Sequence, residues 1–329
     1  MGLLDGKVII ITGAGRGIGR AEALELSRVG ATVILGDVDG SVISEVAELI
    51  SRAGGAAAVE AGDCSEEETA DRLVSRAIEE FGRLDGLVNN AGILRDRTLV
   101  NMTAQEWDDV IRVNLRSHYV MTHAAFAYWY SAGVPGHVVC TSSTSGLLGG
   151  FGQCNYGAAK AGVAAFSGIA AQEGRRYNIT VNAICPAART RLSEGAFGLI
   201  PVKEEAFDFW NVDNVAPLVA FLCSDASSHI SGKVFGVQGD AIEVYHPWTS
   251  VAVMTNRGSR WSAADLGASL GALLQQHGIA VGPEDSMARL RYSMRAGDLS
   301  WLDPAGRNAD HRVAVANVGR APLTDRASP

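Results

Sequence analysis

The first thirty residues predict a strand, a glycine-rich turn and a helix in immediate succession. Residues 7–11 consist of Lys7 and then a short, β-branched, continuously apolar run, typical of a parallel strand buried on both faces. Residues 12–19 contain four glycines, and residues 20–29 have helical periodicity. Glycines in this position let the backbone approach a pyrophosphate, where free N–H groups and the helix dipole favour negative charge. This start restricts the chain to an α/β fold that binds a dinucleotide.

The rest of the chain continues the alternation of strands and helices. Long helical segments are expected near residues 103–130 and 155–175. Such alternation predicts an α/β fold with a doubly wound, seven-stranded parallel sheet (Rossmann-like), and a ligand at the carboxyl ends of its strands. The strands are expected near residues 7–12, 31–36, 56–61, 84–89, 136–142, 178–184 and 234–237.

The chain changes character after the last of these strands. Residues 1–245 are expected to form the dinucleotide-binding domain, and residues 246–302 a helical C-terminal extension. Ser262 is predicted to cap a helix that leads into residues 266–277, and a second helix is expected around residues 284–295. Residues 303–329 have no apolar face and are expected to be a loosely ordered tail.

Composition and charge exclude several classes of partner. A net charge of −8 without any basic run argues against nucleic acid. No apolar run approaches the ~18 residues of a membrane span, and the first residues lack the pattern of a signal peptide. The cysteines are odd in number and widely spaced, which favours reduced thiols in a cytoplasmic protein over a disulfide framework or a metal site. They are Cys64, Cys140, Cys154, Cys185 and Cys223.

Asp37 favours NAD over NADP as the dinucleotide. It ends the second predicted strand, about 20 residues beyond the glycine turn, where a carboxylate accepts hydrogen bonds from the adenosine ribose. The same charge would repel a 2′-phosphate. Arg16, inside the glycine turn, is the counter-argument, because its guanidinium could pair with that phosphate. The alternative for Asp37 is a solvated carboxylate at a strand end.

Tyr156 and Lys160 indicate the chemistry. At a spacing of four they lie on one face of a helix, and an ammonium beside a phenol is expected to lower the phenol pKa. Ser143 follows the apolar run 138–141 and is separated from Tyr156 by a glycine-rich loop. A hydroxyl, a phenol and an ammonium together suit carbonyl/alcohol redox chemistry. The alternatives are a chance surface pair for Tyr156 and Lys160, and Ser142 as the reacting serine.

From about residue 3 to residue 244 the chain resembles the short-chain dehydrogenase/reductase family. The family's catalytic tetrad falls on Asn114, Ser143, Tyr156 and Lys160, and Asp63 resembles its adenine-contacting aspartate. Asn114 has an alternative as a helix-interior asparagine bonded to backbone. The family usually has Pro-Gly where this chain has Pro186 followed by Ala187, which leaves the backbone course there open. The cofactor-binding residues that the motifs and the resemblance imply are Gly13, Arg16, Gly17, Ile18, Gly19, Asp37, Asp63, Cys64, Asn90, Ala91, Gly92, Tyr156, Lys160 and Pro186.

A narrower resemblance concerns the substrate. Residues 90–97, 149–156, 214–223 and 232–237 resemble the (3R)-hydroxyacyl-CoA dehydrogenase part of the peroxisomal multifunctional enzyme, and bacterial relatives that degrade steroids. The resemblance implies an NAD-dependent oxidoreductase acting on a 3-hydroxyacyl-CoA, with steroid-derived thioesters included. The alternatives are a hydroxysteroid or other secondary-alcohol dehydrogenase that needs no CoA and, more remotely, a non-catalytic dinucleotide-binding regulator.

Two further expectations concern the substrate loop and the assembly. The family places a mobile substrate loop at residues 189–210, and the aromatic and aliphatic residues here suit an acyl or steroid body, although plain packing explains them equally well. Small residues along 155–171 allow two helices to approach closely, and relatives pair such helices across a two-fold axis. A homodimer or homotetramer is therefore expected. Four arginines are candidates for the CoA phosphates or for ordinary surface solvation, namely Arg95, Arg97, Arg189 and Arg191.

Overall fold

Eight strands form one sheet in the order β3-β2-β1-β4-β5-β6-β7-β8. The structure is a computed structural model, and it describes residues 2–191, 207–246 and 248–279. The strands are β1 (Val8–Thr12), β2 (Thr32–Asp37), β3 (Ala57–Ala61), β4 (Gly86–Asn89), β5 (Gly136–Thr141), β6 (Ile179–Ala187), β7 (Val234–Gln238) and β8 (Ala241–Tyr245). The first seven are parallel, which confirms the predicted doubly wound sheet.

β8 is the strand that the sequence analysis did not predict. It runs antiparallel to β7 after the two-residue turn Gly239–Asp240, in which Gly239 has φ of +55°. A glycine in such a turn is a hairpin signal, and the strand alternates as an edge strand should. Ile242 is 58% exposed and Val244 66% exposed, whereas Glu243 and Tyr245 point to the covered face above Gly236. The sheet therefore ends in an antiparallel strand at Tyr245, the predicted end of the domain.

Helices cover both faces of the sheet, and β1 shows how the sequence divides between them. Ile9 and Ile11 pack into one apolar cluster, with residues of α1, α2 and α8, while Val8 and Ile10 pack into the other, with residues of α3, α5 and α7. The helices are α1 (Gly17–Arg28), α2 (Gly40–Arg52), α3 (Glu67–Phe81), α4 (Ala104–Ile111), α5 (Ser117–Ala132), α6 (Thr144–Leu148), α7 (Cys154–Gly174), α8 (Ala216–Leu222) and α9 (Ala263–Gln276). Burial on both faces explains why the central strands have no polar alternation.

The helix predicted over residues 103–130 is interrupted. α4 begins at a capping box formed by Thr103 and Glu106, and a π-helical turn at Arg112–Arg116 separates it from α5. π-helical turns are rare and occur frequently at functional sites. Asn114 lies in this turn and is fully buried.

The position of the site follows from the strand order. The order reverses between β1 and β4, which are neighbours in the sheet although they are distant in sequence. Connections leave these two strands in opposite directions, and a crevice opens at their carboxyl ends. The glycine turn follows β1 and the Asn90–Gly92 loop follows β4, so both reach this crevice.

The described part of the extension contains one helix. The Ser262 hydroxyl accepts a hydrogen bond from the Asp265 backbone N–H, so the predicted cap is confirmed, and α9 begins at Ala263. No described helix combines the length and the apolar character needed to cross a membrane. The predicted helix at residues 284–295, the tail from residue 303 and residues 192–206 of the predicted substrate loop lie outside the described residues.

Candidate active site

The glycine turn packs closely against the loop after β4. Gly13 has φ of +64° and Gly17 has φ of +54°, in the left-handed region that glycine adopts without strain. A Cβ on Gly19 would lie 2.2 Å from the carbonyl oxygen of Gly13, and one on Gly13 would lie 2.9 Å from the Cα of Ala91. Both positions exclude a side chain: Gly19 because the glycine turn folds closely onto itself, and Gly13 because its backbone nearly touches the loop after β4.

Asn90 and Thr12 hold this contact together. The Asn90 Nδ2 donates to the carbonyl oxygens of Thr12 and Gly13 at 3.1 and 3.2 Å. The Thr12 hydroxyl accepts hydrogen bonds from the backbone N–H groups of Asn90 and Ala91 at 3.0 and 3.2 Å. Thr12 ends β1 and Asn90 follows β4. Their side chains therefore fix the glycine turn that would carry a pyrophosphate.

The N-terminus of α1 has the features of an anion site. Arg16 occupies the cap position without a side-chain hydrogen bond to the helix. The first N–H groups of the helix, at Gly17 and Ile18, have no acceptor within the helix, and the helix dipole favours negative charge near them. The residues present thus fit a bound dinucleotide at the predicted positions.

Asp37 and Arg16 have different partners. The Asp37 carboxylate accepts from the Gly15 N–H at 3.2 Å and from the Asp39 N–H at 3.1 Å, which holds it against the glycine turn. The Arg16 guanidinium donates to Asp39 at 2.8 Å. Hydrogen bonds from Ser41 and Arg16 lower the pKa of Asp39 to about 2, so the partner of Arg16 is ionised. Asp37 is thus held beside the glycine turn, and Arg16 is directed to another carboxylate.

Asp63 and Cys64 follow β3 at the edge of the crevice. Burial raises the pKa of Asp63, but hydrogen bonds from Ser65 and Arg112 lower it by more than burial raises it. The pKa therefore lies below its usual value. Asp63 accepts from both the N–H and the hydroxyl of Ser65 and from the Arg112 guanidinium. Cys64 is buried, and burial followed by the charges of Asp63 and Asp37 raises its thiol pKa to about 12. Cys64 can thus contribute only its backbone to a ligand.

Ser143, Tyr156 and Lys160 come together as predicted. Ser143 caps α6 after β5, and Tyr156 and Lys160 lie one turn apart in α7. The Ser143 side chain lies close enough to the Tyr156 phenol to lower the phenol pKa against the effect of burial. The Lys160 Nζ lies 5.7 Å from the centroid of the tyrosine ring and donates to the Thr141 carbonyl oxygen at 2.6 Å. The three groups required for proton transfer to or from an alcohol oxygen are therefore adjacent.

The ionisation of these groups differs from the expectation. Burial raises the pKa of Tyr156 to about 12, an effect that the hydrogen bond from Ser143 only partly offsets. Burial also lowers the pKa of Lys160 to about 8. The predicted lowering of the phenol pKa by Lys160 is not seen, because both groups lose water and the ammonium is directed to the Thr141 carbonyl.

The structure distinguishes the two neighbouring serines. Ser142 is buried, and its hydroxyl donates to the Lys160 carbonyl oxygen at 2.7 Å. Ser143 is partly exposed and contacts Tyr156. Successive side chains of an extended chain point to opposite sides, so one serine holds α7 and the other faces the phenol.

Asn114 contacts the backbone on both sides. Its Nδ2 donates to the carbonyl oxygens of Ile93 and Val110 at 2.9 and 3.0 Å, and its Oδ1 accepts from the Ile93 N–H at 3.3 Å. A Cβ on Gly92 would lie 2.6 Å from that Oδ1 and 3.6 Å from the Lys160 Nζ. The side chain thus has the backbone partners of the alternative interpretation, yet it is located beside Lys160 as the family pattern implies.

The backbone around Pro186 is regular. β6 continues through Ala187, with Pro186 paired to Val237 and Ala187 to Gln238. The replacement of the family's usual glycine by Ala187 therefore leaves this strand end intact.

The candidate arginines are mostly engaged within the protein. Arg97 pairs with Glu106 at 3.1 Å, and Arg189 pairs with Asp208 at 3.0 Å. Arg95 donates to the carbonyl oxygen of the preceding residue at 2.9 Å, and Arg191 is exposed. No described group of three or more His, Cys, Asp or Glu side chains could hold a metal ion.

Two residues that support the site, Asn155 and Arg112, were not predicted from the sequence. Asn155 is fully buried, and its Nδ2 donates to the carbonyl oxygens of Arg95 and Glu106 at 3.0 and 3.1 Å. Its position just before Tyr156, in the first turn of a helix, was an available signal, since asparagine is favoured near helix starts. The partners of Asn155, and the contact of Arg112 with Asp63, are set by the tertiary fold and have no local signal.

Comparison with known proteins identifies the family. Residues 7–194, more than half of the chain, match the family model described as short chain dehydrogenase. The chain is 43% identical over 280 residues to "Hydroxyacyl-CoA dehydrogenase ChsB1" of Mycobacterium tuberculosis, covering 81% of this chain and 88% of that protein. This chain belongs to the short-chain dehydrogenase family. The family binds a nicotinamide dinucleotide, and the chain is accordingly an oxidoreductase that uses NAD or NADP and acts on CH–OH groups.

Longer relatives and solved structures support the same family assignment. The chain is 38% identical to "Peroxisomal multifunctional enzyme type 2" of Mus musculus, and the match covers 69% of this chain and 31% of that protein. A solved "short chain dehydrogenase from Mycobacterium avium" superposes with a TM-score of 0.77 at 40% identity, covering 86% of this chain and 98% of that chain. The solved structure of levodione reductase gives a TM-score of 0.66 at 32% identity, over 72% and 97% of the two chains. The predicted family, fold and narrower resemblance are thus confirmed.

Proposed function

We propose that this protein is an NAD-dependent 3-hydroxyacyl-CoA dehydrogenase, with steroid-derived thioesters among its candidate substrates. The observation that carries the proposal is the 43% identity to a hydroxyacyl-CoA dehydrogenase over 88% of that protein's length. The contact between Ser143 and Tyr156, with Lys160 one helical turn away, supports turnover over a purely regulatory role.

In the proposed mechanism Tyr156 takes the proton of the substrate hydroxyl. Its phenol lies beside Ser143, whose hydroxyl donates to the same substrate oxygen and stabilises the negative charge that develops there. Bound NAD⁺ would supply the carbon that accepts the hydride and a positive ring that favours the phenolate.

Lys160 and Asn114 support this step from the interior. The Lys160 ammonium is anchored to the Thr141 carbonyl and faces the tyrosine ring, but its charge does not overcome the rise in the phenol pKa that burial causes. Asn114 holds the Ile93 backbone next to Lys160, and we assign to it the family's role of positioning a water that exchanges protons with the lysine.

A secondary-alcohol or hydroxysteroid dehydrogenase that needs no CoA is the second candidate. The ion pairs Arg97–Glu106 and Arg189–Asp208 favour it, because both guanidinium groups are neutralised within the protein. A CoA phosphate would have to compete with these carboxylates.

Steady-state kinetics distinguish the two candidates. We expect kcat/KM for a 3-hydroxyacyl-CoA to exceed that for the matching free alcohol by about 100-fold or more, since remote binding energy lowers the barrier to reaction. Comparable values for thioester and free alcohol would favour the second candidate. Absence of turnover with either would contradict both.

Asp37→Ala should shift the cofactor preference from NAD towards NADP. Removing the carboxylate removes hydrogen bonds to the ribose and the repulsion of a 2′-phosphate, so the ratio of kcat/KM for NADP to that for NAD should rise roughly 10- to 100-fold. Glu45→Ala, an exposed change in the neighbouring helix α2, is the matched control and should leave the ratio unchanged. A wild type that already prefers NADP would contradict the assignment of NAD.

We also infer an isologous pairing through α7. Ala158, Ala165 and Ile169 share an exposed face of this helix, with Ile169 58% exposed, and a side chain on Gly168 would meet nothing within 4 Å. A close-packed helix pair would bury this face. Ala165→Glu should therefore convert a dimer or tetramer into a smaller species by light scattering, whereas Glu79→Gln, an exposed change in α3, should not. A wild type that is monomeric at micromolar concentration would contradict the pairing.

A further inference from the structure

A chain of hydrogen bonds leads from Ser143 to the exposed carboxylate of Asp96. The Ser145 backbone N–H donates to the Ser143 Oγ at 3.1 Å, and the Ser145 hydroxyl donates to the Gln153 Oε1 at 2.8 Å. The Gln153 Nε2 then donates to the Asp96 Oδ2 at 2.8 Å. The chain joins the loops after β4 and β5 to the residue just before α7.

Asp96 sets the direction of the two side-chain hydrogen bonds in this chain, whereas the Ser145 backbone N–H can only donate. An ionised carboxylate only accepts hydrogen bonds, so the amide nitrogen of Gln153 must face it. The amide oxygen of Gln153 then faces Ser145, and the Ser145 hydroxyl must donate. Ser143 receives the Ser145 N–H on its oxygen, which leaves its own proton for the neighbouring phenol or for a substrate oxygen.

The surrounding backbone is shaped to hold Gln153. Gly149 and Gly152 have φ of +85° and +77°, and a Cβ on Gly150 would lie 2.4 Å from the Gln153 Oε1. The Arg97 N–H donates to the Gly152 carbonyl oxygen at 2.8 Å. The glycines therefore let the loop wrap around the Gln153 amide while it stays attached to the Asp96 segment.

The same two segments meet again next to the reacting phenol. Asn155, between Gln153 and Tyr156 in sequence, donates to the carbonyl oxygens of Arg95 and Glu106. The position of Tyr156 relative to Ser143 therefore depends on the loop that carries Asp96.

We propose that Asp96 is a positioning residue for the reaction: through Gln153 it holds Ser145 in place, and the Ser145 backbone N–H holds the Ser143 hydroxyl. The inference rests on the proposed roles of Ser143 and Tyr156. Asp96 touches neither the substrate oxygen nor the cofactor in this role. Its effect therefore belongs in kcat and not in the affinity for the dinucleotide.

The test is a double-mutant cycle in kcat. Asp96→Ala and Gln153→Ala should each lower kcat about tenfold, the size expected for one misdirected hydrogen bond, with the KM for the dinucleotide unchanged. Because the residues act in series, the double variant should lose no more than Gln153→Ala alone. Losses that multiply, or an Asp96→Ala effect confined to the substrate KM, would overturn the proposal.

Asp96→Asn provides the rescue that a merely structural role would not show. Its amide oxygen can still accept from Gln153, so the plateau rate should return to within about threefold of wild type. The Asp96 charge raises the pKa of Tyr156, which also faces Lys160 and the Cys185 thiol, so removing that charge should move the acidic limb of the pH–rate profile for alcohol oxidation to lower pH. If the pH–rate profile of Asp96→Asn did not move, or its plateau rate did not recover, the positioning role of Asp96 would be contradicted. Asp108→Asn, an exposed carboxylate in α4, is the control.

Tyr156→Phe, measured in parallel, separates this inference from the proposed function. If Tyr156→Phe is inactive and the Asp96 and Gln153 variants are not impaired, only the positioning role of Asp96 is wrong. If Tyr156→Phe remains active, the proposed mechanism is wrong and the inference fails with it.

Discussion

Tyr156→Phe is expected to lower kcat by about 10³-fold or more, within the range for removal of a general acid–base group. The phenol oxygen is the proton acceptor, whereas the ring and the Lys160 side chain remain to shape the cofactor site. The dissociation constant for NAD, measured by titration calorimetry, should stay within about twofold of wild type, since no proton is transferred on binding.

Tyr119→Phe is a suitable control for this experiment. Tyr119 lies in α5 with 48% of its surface exposed, so the loss of its hydroxyl should leave kcat unchanged. If Tyr156→Phe kept more than a few per cent of wild-type kcat, the proton acceptor would have to be another group.

Ser143→Ala is expected to lower kcat by roughly 10²- to 10³-fold, the usual effect of removing one donor to a developing oxyanion. Ser142→Ala should act differently. Its buried hydroxyl donates to the Lys160 carbonyl oxygen at 2.7 Å, so its loss leaves that carbonyl without this donor and should cost about 1–3 kcal/mol of unfolding free energy.

Both Ser143→Ala and Ser142→Ala are measured by steady-state kinetics and by denaturant unfolding. Ser143 also caps α6, so Ser143→Ala should lose about 1 kcal/mol of stability besides its activity. Ser143→Thr keeps a hydroxyl and should recover part of kcat. If Ser142→Ala lost much of its kcat and Ser143→Ala lost little, Ser142 and not Ser143 would be the reacting serine.

The fold was predictable because its signals are local. The apolar run at residues 8–11, the glycines that follow it and the acidic end of β2 each carry their meaning within a few residues. β8 escaped prediction because its strand is short and half-exposed, although Gly239 marked the turn before it. The π-helical turn was hidden because the apolar pattern of residues 103–130 continues through it.

The reacting residues were also predictable, but their electrostatics were not. The spacing of Tyr156 and Lys160 places them together, and neither spacing nor composition shows how far burial removes water from both. The chain from Ser143 to Asp96 joins residues 47 positions apart, and the bond between Gln153 and Asp96 itself spans 57 positions. Contacts of this kind depend on how the loops after β4 and β5 meet, which no local pattern records.

The π-helical turn at Arg112–Arg116 makes the site sensitive to chain length. A turn closed by bonds to the fifth residue holds one residue more than an α-helical turn. Deleting one residue there would restore a continuous α-helix and leave α4 and α5 close to their present orientation, because the π-helical turn accommodates its extra residue as a local bulge. Arg112 and Asn114 lie within the turn, so their contacts with Asp63 and Ile93 would be lost or rearranged while α4 and α5 kept their places. The length of this turn, and not only the identity of its side chains, therefore determines whether Asn114 and Arg112 reach the site.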